Sequence, residues 1–180
     1  MKLDIVAGSG NDEFYTPEYA IVPLIKHLKS CGFRAIWCPF DTAESNFVKV
    51  LTLTGFAVMH SHISEGNDFF MCDAPQCDVI ISNPPYSKKA EVFEKLFAIG
   101  KPFAMLVGVV GLFESERRFS LFEKNQFEIM YFNRRISYFK SYEEKKPSLN
   151  PPFSSVYLTH KVLSKQICFE RIERNNLQRR

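Results

Sequence analysis

A doubly wound α/β sheet, mostly parallel and with helices on both faces, is the architecture this sequence predicts. Two observations carry it. Four short stretches are apolar almost throughout: FRAIWCPF at 33–40, FAVMH at 56–60, DVIIS at 78–82 and FAMLVGVV at 103–110, as strands buried on both faces are. Segments with helical spacing separate them, and that alternation implies parallel pairing. The 180 residues suit one domain around one core, spanning 1–180.

The elements follow in order. Thr16 as N-cap, Pro17 at the first helical position and Glu18 in the first turn predict a helix over 17–30, which Cys31-Gly32 ends. The strand at 33–40 closes on a proline. A helix over 45–53 is broken by Gly55, the strand at 56–60 follows, and the strand at 78–82 runs into two prolines that cannot extend a ladder. Residues 88–99 form an amphipathic helix stopped by Gly100. After Gly111 the pattern changes to a charged helix at 114–124 and strands at 127–132 and 155–161. They flank a polar loop at 140–152 (KSYEEKKPSLNPP), too long and charged for an ordinary turn, which suits a substrate-facing segment.

Composition excludes several classes. With 46% hydrophobic and 24% charged residues the chain is a folded globular sequence. The N-terminus has no apolar signal region, and the longest apolar run, 103–113, is far short of the roughly 20 residues a membrane span needs. A cytoplasmic protein without membrane association is expected. The five cysteines include no C-x-x-C pair, which argues for buried reduced thiols and against a zinc site or any other metal. The net charge of +3 is uneven: residues 1–113 sum to about −3, 114–146 to about +2 and 161–180 to about +4. An anionic polymer would meet the second half, although a solvated tail reads the same way at the very end.

Asn-Pro-Pro-aromatic occurs twice, as NPPY at 83–86 and NPPF at 150–153. The first copy follows a predicted strand and so hangs at the C-terminal rim, where open α/β sheets bind ligands; the second precedes a strand and reads as a rigid turn. Two prolines stiffen the first copy and contribute no N–H, leaving the Asn83 side chain and the Pro84 carbonyl as acceptors. Such a pair can take both hydrogens of an exocyclic amine, aim its lone pair at an electrophile and stabilise the charge developing on nitrogen. Tyr86 offers a face on which a planar base can stack. A plain structural turn is the alternative.

DVIISNPPYS resembles the catalytic motif of S-adenosylmethionine-dependent N6-adenine methyltransferases, in particular the small phage-type DNA enzymes. FYTPEYAIVPLI resembles their N-terminal cofactor motif, and the likeness runs over about 13–113. The resemblance implies a Rossmann-like methyltransferase fold and S-adenosylmethionine as cofactor, with a cofactor and catalytic part over 1–113 and a substrate-facing part over 114–180. It implies that Tyr15, Thr16 and Pro17 help hold the methionine end, and that Cys38, Pro39, Phe40, Asp41 and Ser45 form the floor. Asp68 would accept from the cofactor's adenine amine, with Phe69 packing on the ring. Asn83, Pro84, Pro85 and Tyr86 would hold the target amine for direct in-line transfer, a duplex adenine being flipped out first.

The loop after the first strand, CPFDTAESN, carries no glycine where the family has G-x-G, and His60 stands where an acidic ribose ligand is expected. A second register is open: AGSGN at 7–11 as the glycine loop after a strand at 3–6, making 33–41 the second strand and Asp41 its ribose ligand. In the last third, Arg117, Arg118, Arg134 and Arg135 interleave with Tyr138 and other aromatics, a mixture suited to phosphates and a flipped base. No separate recognition domain fits there, so target choice would fall to the 140–152 loop, to a homodimer or to a partner protein. Adenine in DNA is the first substrate expected. RNA adenine, a protein glutamine, or a binding protein of phage type that has lost catalysis are the alternatives.

Overall fold

The computed structural model describes residues 14–173. Its elements are α1 (Glu18–Ser30), β1 (Ala35–Cys38), α2 (Asn46–Leu53), β2 (Ala57–His60), β3 (Val79–Ser82), α3 (Lys89–Ile99), β4 (Phe103–Gly108), α4 (Glu116–Lys124), β5 (Glu128–Phe132), β6 (Ser155–His160) and β7 (Ile167–Glu170). The strands make one sheet in the order β2-β1-β3-β4-β6-β5-β7. Pairings β1–β2, β1–β3, β3–β4 and β5–β7 are parallel, while β6 runs antiparallel between β4 and β5. The expected α/β sheet with helices on both faces is the observed one.

Strand alternation explains why the central strands read as continuously apolar. Ile36, Cys38, Val79, Ile81, Ala104 and Leu106 pack with residues of α1 and α2. Their neighbours Trp37, Ile80, Phe103, Met105 and Val107 point the other way, into a second cluster with Val92, Phe93, Leu96 and Phe122 from α3 and α4. Each strand is therefore buried on both sides, as parallel strands between two helical layers must be.

From β1 the chain crosses to β2 on one side and then returns to β3 on the other. That reversal opens a crevice beyond the C-terminal ends of β1 and β3. It also decides between the two registers: both edges of β1 are occupied, by β2 and β3, leaving no place beside it for an earlier strand. The alternative glycine loop at 7–11 lies outside the described residues.

Three local expectations need correction. Thr16 is not the N-cap of α1; Pro17 occupies that position in extended geometry with no side-chain cap, and Thr16 is buried. Helix α4 begins two residues later than expected, at Glu116, because the Ser115 hydroxyl accepts from the Arg118 amide at 3.2 Å. The strand β7 was not announced by pattern, and it is moored to α1 through Glu170, which accepts from Lys26 at 2.7 Å and faces His27 Nε2 at 2.9 Å. Among the described residues no helix is long and apolar enough to cross a membrane.

Candidate active site

A cavity of about 580 Å³ opens at the crevice. Its walls come from the segment before α1 (Phe14, Tyr15, Thr16), the β1–α2 loop (Pro39, Phe40, Asp41, Thr42, Glu44), the turns after β2 (His62, Asp68, Phe69, Phe70) and the end of β3 (Asn83, Pro85). The volume and the mixture of aromatic walls with a few polar groups suit a small organic ligand. Phe40 and Phe69 meet with ring centroids 4.7 Å apart, and Lys95 fixes the Phe69 turn by donating to the carbonyls of Phe69 and Cys72, each at 2.6 Å. Asp68 accepts from the Phe70 amide at 2.9 Å through one oxygen. Phe40 and Glu44 line this space without filling it, so the glycine-free loop leaves room for a ligand.

Asn83 is the chemically distinctive residue. Its Nδ2 donates to the Phe14 carbonyl at 2.7 Å and to Thr16 Oγ1 at 3.3 Å. A carbonyl can only accept, so the orientation of the amide is set. Its Oδ1 then faces away from both, buried and without a hydrogen-bond partner, the one such side-chain atom found among the described residues. A buried acceptor left open costs roughly 1 to 3 kcal/mol, so it calls for a donor that arrives from outside the chain.

The end of β3 is clamped from the β1–α2 loop as well. The hydroxyls of Ser82 and Ser45 both donate to the Asp41 carboxylate, one to each oxygen. Burial pushes the Asp41 carboxyl up to about 6, against the pull of those two hydroxyls. The Asp41 amide donates to the Ser61 carbonyl at 3.2 Å, and the Ser61 hydroxyl accepts from Trp37 Nε1 at 3.0 Å. Asp41 thus ties the exits of three strands, reaching β3 through its carboxylate and the residue after β2 through its amide, which holds Asn83 in place relative to the β1–α2 loop.

No protein-family model and no curated protein matches the chain. Among solved structures, a protein from Vibrio vulnificus described as a modification subunit of a type I restriction enzyme superposes with a TM-score of 0.55 at 13% identity, over 92% of this chain and 48% of that one. The fold is a Rossmann-like α/β fold. The chain spans about half the length of that protein. A protein-(glutamine-N5) methyltransferase from Alicyclobacillus acidocaldarius is also similar, with a TM-score of 0.39 at 14% identity over 80% of this chain and 93% of that one.

Within this fold the expected site residues divide into groups. Tyr15, Thr16, Pro39, Phe40, Asp41, Asp68, Phe69, Asn83 and Pro85 line the cavity together. Pro17, Cys38, Ser45 and Pro84 lie behind that lining, and Cys38 is fully buried with its thiol pushed well up by desolvation. The histidine on the wall is His62, not His60; His60 closes the edge strand β2 and stands 3.8 Å from Glu65. Asp41, on the cavity wall, also acts as a tie: one of its oxygens accepts from Ser45 and the other from Ser82.

Tyr138, expected at the substrate surface, is fully buried, and burial pushes its hydroxyl up to about 12. That hydroxyl donates to Ser155 at 2.7 Å and accepts from Tyr86 at 3.3 Å, which makes Tyr138 a support for Tyr86. Arg117 is drawn away from any polymer by Glu94, at 2.6 Å through two guanidinium nitrogens, and by Glu91 at 3.3 Å; these carboxylates push its pKa further up. Arg118 donates to the Leu112 carbonyl at 3.1 Å. Arg134 and Arg135 are exposed and follow β5, which runs parallel to β4, so they share the rim with Asn83.

Several wall residues escaped the sequence reading, Phe14 and Tyr142 among them. Phe14 and Tyr142 reach the cavity because Tyr15 and Phe139 form an antiparallel bridge, with amide to carbonyl distances of 3.2 and 2.9 Å, and Tyr15 and Tyr142 meet edge to face at 4.3 Å. No spacing within either segment signals a contact across more than 120 residues of chain.

Proposed function

We propose that the protein is an S-adenosylmethionine-dependent methyltransferase acting on the exocyclic N6 amine of adenine, in DNA. The observation that carries the reading is the open, buried Oδ1 of Asn83 at the cavity, in a motif whose prolines offer no competing N–H. Glutamine and RNA adenine present the same amine chemistry, and the exposed Arg134 and Arg135 on the shared rim favour a phosphate-bearing substrate.

The residues present fit the cofactor. Phe40 and Phe69 would take its adenine, and Asp68 retains one carboxylate oxygen for the adenine amine. Tyr15 and Thr16 would meet the methionine end across from the β1–α2 loop. When bound, S-adenosylmethionine supplies a sulfonium-activated methyl group. Asn83 Oδ1 would accept a hydrogen of the target amine, which keeps its lone pair out of the ring and directed at the cavity. As positive charge grows on nitrogen the same dipole stabilises it. A carboxamide does not titrate, so the proton of the methylated amine passes to solvent.

Calorimetric titration with S-adenosylmethionine tests this reading. Binding in the micromolar range, about −8 kcal/mol, is expected. A folded protein that takes up no cofactor at millimolar concentration would overturn it in favour of a binding protein that keeps the scaffold alone.

A further inference from the structure

Tyr86 is the one member of the NPPY motif whose ring can stack a base, yet Phe14 covers one of its faces. The two rings lie with centroids 4.7 Å apart and planes 22° from parallel. Phe14 lines the cavity and Tyr86 does not, so the Phe14 ring stands between Tyr86 and the space beside Asn83. The other surroundings of Tyr86 are also settled: Phe153 meets it edge to face at 5.7 Å, and Lys89 Nζ sits 5.1 Å from its centroid. A planar base whose amine reaches Asn83 Oδ1 and whose ring stacks on Tyr86 needs the place that Phe14 fills.

We propose that the Phe14 ring is a gate on the target-base slot, a flat stand-in that stacks on Tyr86 until the base displaces it. The inference rests on the methyltransferase reading. Its geometry is economical, because Phe14 works through two separate groups. The carbonyl holds the Asn83 amide at 2.7 Å, and the ring covers Tyr86. Rotation about the Cα–Cβ bond would move the ring and leave the carbonyl in place, so the slot can open while Asn83 stays aimed. The strand-like bridge from Tyr15 to Phe139 anchors the backbone on which that rotation takes place. The gate would favour a base that stacks better than a phenyl ring does, and so would select against thymine-like and non-aromatic intruders.

The test is a fluorescence titration of the full chain with a single-stranded oligothymidylate carrying one 2-aminopurine, whose emission reports stacking on an aromatic ring. Four proteins are compared: wild type, Phe14→Ala, Phe14→Leu and Tyr86→Ala. Phe14→Leu keeps apolar bulk without a flat face, which covers the case in which the alanine variant loses its fold. Removing the competing stack should tighten capture of the probe by roughly two- to tenfold in both Phe14 variants, the factor expected for one aromatic pair. Tyr86→Ala should abolish the signal. Unchanged or weaker capture by Phe14→Leu, beside a clear wild-type response, would overturn the gate while leaving the methyltransferase reading intact. No response from wild type or either Phe14 variant would remove the base slot itself, and the gate with it.

Discussion

The two Asn-Pro-Pro-aromatic motifs share three residues, an aromatic fourth and little else. At 83–86 the motif leaves β3 at the C-terminal rim, its asparagine is held by Phe14 and Thr16, and one carboxamide oxygen is left open. At 150–153 the motif enters β6, and its asparagine oxygen accepts from Ser137. Its phenylalanine is buried against Gly108, where a Cβ would stand 2.6 Å from the ring, and meets Tyr86 edge to face. The same rigid backbone therefore leaves an acceptor open beside a cavity in one place and serves packing in the other. What differs is which end of a strand it occupies, and whether a third segment satisfies the asparagine.

Substitutions can break that contrast. Phe153→Ala should be the largest effect on stability, roughly 3 to 5 kcal/mol for a buried aromatic, read as a lowered midpoint in denaturant. Asn83→Ala should lower methyl-transfer turnover by about 10²- to 10³-fold, as loss of one aimed dipole does in other enzymes, with cofactor affinity by calorimetry largely unchanged. Unchanged turnover would place the chemistry elsewhere.

Asp41 sharpens the contrast through pH, since only the first motif is tied to such a carboxyl. Its folded pKa of about 6 lies above the ordinary aspartate value of 3.8, so its contribution to stability is fully present below about 4 and is lost as pH rises through 6. Relative to Asp41→Asn, wild type should lose on the order of 3 kcal/mol across that window, measured by denaturant unfolding at each pH. A constant difference between the two proteins would show that Asp41 does not titrate there. Asn150→Ala should be the smallest effect, about 1 kcal/mol of stability for one hydrogen bond, with turnover per folded molecule unaltered.

Much of the first half was legible because its signals are local. The apolar runs, the paired prolines after β3 and Gly100 at the end of α3 are each contained within a few residues. Long-range pairing was not legible. The partners that neutralise Arg117 lie 23 and 26 residues earlier on α3, and the bridge that brings Phe14 and Tyr142 to the cavity joins segments at opposite ends of the chain. Tyr138 looked like a surface aromatic because basic residues stand close by in sequence, yet it is buried together with Ile136 and Ser137. The strand β7 hid for another reason: as an edge strand with exposed Ile167 and Phe169 it carries neither a long apolar run nor a polar outer face. In the glycine-free β1–α2 loop the carboxylate of Asp41 ties the chain back to Ser82, a pairing across 41 residues that no local spacing signals, and the cavity stands open beside it.

The most direct measurement is mass spectrometry of nucleosides from adenine-containing DNA incubated with the protein and S-adenosylmethionine. The account predicts N6-methyladenine from wild type and a yield reduced at least a hundredfold from Asn83→Ala. Cofactor-saturated wild-type protein that leaves every adenine unmethylated would contradict it.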